Sequence, residues 1–393
     1  MLPSFEVENF RTFSHLQIPH LGGVNLIVGR NNVGKTMLLE AVRLYASGGN
    51  PAAILDLLYD RDEVLPGRAS EDERGDPHLR IATLFHGRAL QFGEAGTVVL
   101  RTGSDDADSV RLEVRAFRRV RSEKESARFE YEPVVPGKLE DDLHVILAVT
   151  VFMGEKGRLF IPLDEMLRYP RHRWRLGVPT PGPAFVPARG VDSKTIARQW
   201  DAIALHEAED RVSSCLRIVA PVGRITAVAH PARSGERMFL ARMEGETEPV
   251  SLKSLGDGMV RIFQIALAME SAKNGKNDAF SSPNEPLLFP ELRPTPSPGI
   301  LLLDEVENGI HYSVLPDLWR FVFKAASLHG IQVFATTHSW DCVEAFQGIA
   351  AEEKEAKGTL IRLEKRNDRS DHKVVTYSEE ELGSATRFGT EVR

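Results

Sequence analysis

The chain has 393 residues, 42% of them hydrophobic, which is ample for a packed core and excludes a mainly disordered protein. Lys and Arg total 49 against 56 Asp and Glu, a formal charge of −7 that excludes a globally basic nucleic-acid coat but leaves room for a local basic patch. The only two cysteines, Cys215 and Cys342, are far apart and outside any Cys-x-x-Cys pair, so a disulfide scaffold or zinc ribbon is excluded and a reducing cytosol is expected.

The start of the chain carries Glu6 and Glu8 where a signal peptide needs a basic flank and an apolar run. The most apolar stretch, Val145 to Met153, is about half a bilayer span. A cytoplasmic protein without a membrane partner is expected.

In chain order, Phe5 to Ile18 alternates apolar and polar residues and predicts two strands. Val24 to Val28 predicts a buried strand feeding a glycine-rich loop. Leu38, Leu39, Val42 and Tyr45 have helical spacing, and Gly48-Gly49-Asn50-Pro51 ends that helix. Ala52 to Tyr59 predicts a short helix and Glu63 to Pro77 a loop. Strands are predicted around Thr97–Arg101, Val110–Phe117, Phe129–Val135 and Val145–Phe152. Pro170 to Pro187 reads as irregular, and Ser193 to Leu216 as one helix. Arg217 to Arg242 returns to strands, Met259 to Ala272 is an amphipathic helix, and Asn274 to Pro298 is a long loop. Then follow a strand at Ile300–Leu303, a helix at Val314–Leu328, a strand at Ile331–Ala335, a helix from Trp340, and closing strands at Thr359–Glu364 and Lys373–Tyr377.

Gly29-Arg-Asn-Asn-Val-Gly34-Lys35-Thr36 fits G-x-x-x-x-G-K-[ST], with a strand leading in and a helix leading out. The glycines let backbone N–H groups curl toward phosphate oxygens, and the helix N-terminus adds a favourable dipole. Lys35 supplies charge to the β- and γ-phosphates, and Thr36 a hydroxyl to Mg²⁺. Downstream, Ile300-Leu-Leu-Leu-Asp304-Glu305 is an apolar strand ending in two acids. In isolation this is also how a solvated acidic turn reads. With the phosphate loop upstream, Asp304 becomes a metal ligand and Glu305 the residue that orients or deprotonates water. Thr336-Thr-His338-Ser follows the next apolar strand, where a histidine can reach a γ-phosphate from the carboxyl edge of a parallel sheet. Ser254-Leu-Gly256-Asp-Gly258 heads the amphipathic helix, either as a second anion nest or as a plain Ser cap with glycine turns.

These motifs, with Asn9-Phe-Arg11 before them, Leu255-Gly-Asp-Gly-Met259 and Leu303-Asp-Glu-Val-Glu-Asn-Gly-Ile-His311 between, stand in the order of ABC-type ATPase heads. The chain most resembles the RecF, SMC and OLD (overcoming-lysogenization-defect) branch, in particular the short OLD-like AAA ATPases. The resemblance implies an α/β P-loop NTPase of ABC-head type with N-terminal antiparallel strands and a β-rich, partly helical insertion. It divides the chain into core residues 1–50, an inserted region 51–215 and core residues 216–393. It implies ATP bound by Arg11, Gly29, Asn31, Asn32, Val33, Gly34, Lys35 and Thr36, with Ser254, Gly256 and Gly258 completing the site of a second head. Mg²⁺ would be held by Thr36 and Asp304, and catalysis would fall to Glu305 and His338, with Glu307-Asn-Gly309 as the D-loop.

The signature departs from Leu-Ser-Gly-Gly-Gln, and Gln91 and Gln199 are weak candidates for a Q-loop. No heptads mark long coiled-coil arms. Too few residues follow His338 for a Toprim nuclease. The expected function is therefore a Mg²⁺-dependent ATPase that dimerises through its heads, acting in DNA-linked processes or anti-phage defence with a separately encoded effector, a Toprim-like nuclease among the candidates. DNA is a candidate partner, and the basic runs Arg111–Arg128 and Arg168–Arg175 read more simply as solvated faces. The alternatives are the ATP-hydrolysing subunit of an ABC transporter, whose signature lies nearer both the phosphate loop and the acidic strand, and a scaffold that binds ATP without hydrolysing it.

Overall fold

The computed structural model describes residues 1–64, 81–90, 96–103, 108–121, 129–134, 145–154, 157–163, 182–273, 299–353, 355–365 and 372–377. Most of the 63–77 loop, Gln91, the 168–175 basic run, the 274–298 loop and the acidic stretch from Glu379 lie outside the described residues.

The central element is a six-stranded sheet in the order β16-β15-β3-β14-β13-β9. Its members are β3 (Val24–Val28), β9 (Ala184–Val186), β13 (Ile300–Leu303), β14 (Gln332–Thr336), β15 (Gly358–Lys365) and β16 (His372–Tyr377). All pairings are parallel except β15 with β16. Every residue of β3, β13 and β14 is buried, as continuous apolar runs covered on both faces require.

Alternation along these strands feeds two separate cores. Leu26, Val28, Leu301, Leu303 and Val333 face one cluster with Ile262, Leu267, Trp319 and Phe346. Those four come from the helices α5 (Asp257–Lys273), α6 (Leu315–His329) and α7 (Trp340–Glu352). Ile27, Leu302, Phe334 and Ile361 face the other cluster, with Leu38 and Val42 of α1 (Lys35–Ala46) and with the inner face of an antiparallel sheet. Each of these side chains contributes about 1.5–3 kcal/mol on burial. The helix α2 (Pro51–Tyr59), capped by the Asn50 side chain, packs in the second cluster.

The antiparallel sheet has the order β2-β1-β4-β5-β7-β8, with β6 also on β5. It joins the N-terminal strands β1 (Phe5–Phe10) and β2 (Phe13–Ile18) to β4 (Val98–Arg101), β5 (Ser109–Arg121), β6 (Phe129–Pro133), β7 (Val145–Met153) and β8 (Gly157–Pro162). Residues of the 51–215 region thus complete a sheet begun at the N-terminus, and β9 from the same region forms an edge of the central sheet. The expected irregular Pro170–Pro187 stretch contains that strand, three residues between Pro183 and Pro187.

The helix expected over Ser193–Leu216 is two: α3 (Ser193–Asp201) and α4 (Glu207–Leu216). Leu205 adopts φ 64° between them, and Glu209 reaches back to accept its backbone N–H at 2.8 Å. A carboxylate in the first turn doing this starts a new helix rather than extending the old one. A small third sheet, β10 (Val222–Ala229), β11 (Arg237–Met243) and β12 (Val250–Ser251), leads directly into the 252–258 loop before α5. Among the described residues no helix is long and apolar enough to cross a membrane.

Gln332 is fully buried at the start of β14. Its Nε2 donates to the carbonyls of Leu2 (2.9 Å) and Gly22 (2.8 Å), and its Oε1 accepts the Leu2 N–H (2.7 Å). Gln332→Leu removes these three bonds and leaves buried partners unsatisfied, at about 1–3 kcal/mol each. The expected result is a clearly lower urea unfolding midpoint; an unchanged midpoint contradicts the pin.

Candidate nucleotide-binding site

The parallel pairings bring four strand ends to one edge. Leu303 pairs with Ala335's neighbourhood on one side and with Val186 on the other, and Thr336 pairs with Ile27. The phosphate loop after β3, the acids after β13, the Thr-Thr-His after β14 and Pro187 after β9 therefore share the carboxyl edge, where ligands of such sheets bind.

The loop itself is built by backbone shape. Gly29, Asn32 and Gly34 have φ of 145°, 61° and 105°. A Cβ at Gly29 would lie 2.5 Å from the Leu363 carbonyl oxygen, and one at Gly34 2.8 Å from Phe13 and from Thr12, so only glycine fits at either position. Val33 is buried, while Asn31 and Asn32 are exposed at the loop's tip. No side chain caps α1 and no acid occupies its first turn, which leaves its N–H groups and dipole for an anion. Lys35 Nζ donates to the carbonyls of Gly29 (2.7 Å) and Arg30 (3.2 Å). Burial holds its pKa below the ordinary lysine value, against the pull of Glu305, Asp304 and Glu307.

Asp304 is buried and takes hydroxyl donors only. Thr36 Oγ1 lies 3.1 and 3.2 Å from its two carboxylate oxygens, and Thr336 Oγ1 donates to it at 2.7 Å. Among the described residues no ion pair neutralises it. A buried carboxylate bonded by hydroxyls and without a contacting ion pair, with Lys35 and Arg261 acting on it only through space, is a hard-oxygen donor set that fits Mg²⁺. Thr336 Oγ1 also accepts the Glu305 N–H at 2.8 Å, so one hydroxyl positions both acids.

Glu305 sits at φ 49°, a left-handed conformation that costs a non-glycine residue about 1–2 kcal/mol. Such strain persists only where the surroundings impose it, and it marks candidate functional positions. The side chain is partly exposed, and His338 Nδ1 is 3.8 Å from Glu305 and 3.6 Å from Glu307. Glu307 also accepts the His338 backbone N–H at 3.1 Å, which holds the histidine's loop beside the acids.

Ser254 and Gly256 are exposed, and no hydrogen bond or ion pair connects them with residues 29–36. Gly258, at the end of this loop, lies against the 307–309 segment expected to be the D-loop: a Cβ there would be 2.8 Å from the Gly309 carbonyl oxygen. Gln199, a sequence candidate for the Q-loop, lies in α3, and no glutamine stands in the loop after β9.

Arg11 is held inside the fold. Its φ of 54° in the β1–β2 turn directs the side chain inward, where it is 3% exposed. Nε lies 2.9 Å from Glu40, Nη1 donates to Glu63 at 2.6 and 2.8 Å, and Nη2 donates to the Leu57 carbonyl at 3.3 Å. Placed this way it ties α1 and α2 to the β1–β2 turn as a buried cation. Burial raises the Glu40 pKa despite the neighbouring Arg11 and Arg61. Of the first basic run, Arg111 lies over the Phe152 ring and Arg115 pairs with Glu113.

Two contributors carry no mark of their role in the sequence. The motif Thr336-Thr-His338-Ser alone gives Thr336 no role of its own. Arg261, on α5, is a charge set among the apolar residues Met259, Ile262, Phe263 and Ile265, and that position is the signal that could have found it. Its Nη1 donates to the Pro187 carbonyl (2.6 Å) and its Nη2 to the carbonyls of Asp304 and Glu305 (3.0 Å for the latter).

Residues 4–63 match a family model described as an AAA domain, and residues 228–341 one described as "AAA domain, putative AbiEii toxin, Type IV TA system". A segment of 49 residues is 41% identical to the DNA replication and repair protein RecF of Heliobacterium modesticaldum, covering 12% of this chain and 13% of that protein. A match of 47 residues is 38% identical to an uncharacterized protein of Methanocaldococcus jannaschii, covering 12% of this chain and 22% of that protein. The matches thus span less than a quarter of either relative. Similar solved structures include an Smc head bound to the C-winged helix domain of ScpA, with a TM-score of 0.48 and 12% identity over 98% of this chain and 99% of that one. The SMC head domain from Thermotoga maritima has a TM-score of 0.43 and 13% identity over 96% and 99%.

The strand order, the phosphate loop after β3 and the acids after β13 define a P-loop NTPase fold of the ABC-ATPase head type. Segments similar to AAA domains supply both halves of its site.

Arg11→Met leaves the carboxylates of Glu40 and Glu63 without their shared cation. Breaking a buried pair on one side costs about 3–5 kcal/mol. The expected outcome is a lower melting temperature with ATP affinity unchanged in the folded fraction. Weaker ATP binding at unchanged stability would return Arg11 to the nucleotide site.

Proposed function

We propose that this chain is a Mg²⁺-dependent ATPase of the OLD/RecF/SMC-like class whose heads pair around ATP. The observation that carries the reading is the clasp of Thr36 and Thr336 on the buried Asp304, with Glu305 next to it on the open side.

Lys35 binds the β- and γ-phosphates once it leaves the loop carbonyls, and the α1 N–H groups bind the remaining phosphate oxygens. Thr36 and Asp304 hold the metal, which supplies charge neutralisation at the phosphates. Glu305 orients a water and takes its proton as the water oxygen bonds to the γ-phosphorus and the bond to ADP breaks. His338, between Glu305 and Glu307, faces the same edge and contacts the γ-phosphate. Ser254 and Gly256, exposed and unattached to the chain's own phosphate loop, close the site of a partner copy. The RecF segment supports a DNA-linked role, and the family description naming a putative AbiEii toxin supports a place in defence, with a separately encoded effector acting on the ATPase state.

Glu305→Gln keeps the shape and removes the base. Turnover is expected to fall roughly 10²–10⁴-fold with little loss of ATP affinity. Light scattering is expected to show an ATP-dependent dimer. Hydrolysis at the parent rate would move the base elsewhere, His338 being the next candidate.

The trans geometry is tested by mixing two inactive chains, Lys35→Ala and Ser254→Arg. Ser254 is exposed, whereas a side chain at Gly258 would collide with the D-loop and confound the test. Each mixed dimer keeps one intact composite site, so turnover is expected to recover in part. No recovery at any ratio contradicts closure by a partner.

A further inference from the structure

Arg261 is a buried side chain on the helix after the signature loop, and it bonds directly to the ends of β9 and β13. It is 4% exposed, and its guanidinium bonds only main-chain carbonyls: Pro187 at the end of β9, and Asp304 and Glu305 at the end of β13. Its Nε is buried without a hydrogen-bond partner, and no carboxylate forms an ion pair with it among the described residues. Burial lowers its pKa to about 10, although Asp304, Glu307 and Glu305 all favour its charge. A guanidinium held this way costs more than a leucine would at the same place, so its position calls for a reason other than packing.

The geometry supplies one. Arg261 lies one turn into α5, whose first residues, Asp257 and Gly258, pack on Gly309 of the D-loop. Its other end fixes the carbonyl of Glu305, the residue held at φ 49°, while the Glu305 N–H is fixed by Thr336. Both sides of the strained residue are thus held, one from the sheet and one from the signature helix. Any shift of α5 when the 254–258 loop meets a partner's nucleotide moves the donor that holds Glu305.

We propose that Arg261 is a positioning residue that couples docking of the signature loop on a second head to the placement of the Glu305 carboxylate. This rests on the ATPase reading above and adds a route by which the trans contact governs hydrolysis. Arg261 bonds main-chain carbonyls and acts through Glu305.

The test is a double-mutant cycle on the full-length chain, with Arg261→Met, Glu305→Gln and the pair, reading ATP turnover, ATP affinity with a fluorescent analogue, and melting temperature. Arg261→Met is expected to lower kcat tenfold or more with ATP affinity within about twofold, and to cost less than about twofold in the Glu305→Gln background, because residues acting as a unit are non-additive. Arg261→Lys keeps the charge and one carbonyl bond and is expected to fall between. It carries the same cycle if the methionine variant fails to fold. Equal losses with and without Glu305, or parallel loss of affinity and turnover in a folded variant, overturn the coupling and leave the ATPase reading standing. A wild-type chain that binds ATP and never hydrolyses it overturns both.

Discussion

A single buried carboxylate organises this molecule. Asp304 follows strand β13 of the six-stranded sheet with two threonine hydroxyls on it, one from the phosphate loop's helix and one from β14. Because the carboxylate is buried and no ion pair contacts it among the described residues, its oxygens suit a cation brought with a phosphate. The positions of Lys35, Glu305 and His338 follow from the same strand ends. The parallel sheet is therefore less a scaffold beneath the site than the device that sets its distances.

The sheet's two faces have different duties. One carries α1, whose uncapped N-terminus meets the phosphate loop, and behind it the antiparallel sheet that includes β1 and β2. The other carries α5, α6 and α7, and α5 begins at the exposed 254–258 loop. In the proposed reading, nucleotide contacts within the chain lie on one side and the surface offered to a second copy on the other. Arg261 crosses between them, bonding from α5 to carbonyls of the strands that carry the acids.

Much of this was legible in the sequence because backbone constraints and buried apolar runs leave strong local marks. The positive φ values at Gly29 and Gly34 demand glycine, and the runs Val24–Val28 and Ile300–Leu303 are too apolar to be anything but interior. What was not legible depended on partners distant in sequence. Arg11 reads as a ligand until Glu40 and Glu63 are seen on either side of it. The strand β9 is three residues between prolines, too short for any periodicity, and only its neighbour β13 makes it a strand. The break between α3 and α4 turns on one Glu209 carboxylate reaching Leu205. Arg261 was visible as a charge on an apolar helical stretch, but its meaning lay in carbonyls of β9 and β13 that no pattern could place beside it.

The central claim is that Asp304 and Thr36 form a metal site that operates with nucleotide. Mn²⁺ is a paramagnetic stand-in for Mg²⁺ with the same preference for oxygen donors. Electron paramagnetic resonance of the wild-type protein titrated with Mn²⁺ and ATP reads the site directly. The expected result is one immobilised Mn²⁺ per chain, dependent on ATP, coupled to phosphorus, and lost in Asp304→Asn. Nucleotide-bound Mn²⁺ that tumbles freely in the presence of the protein, or immobilised Mn²⁺ that survives Asp304→Asn unchanged, would contradict it.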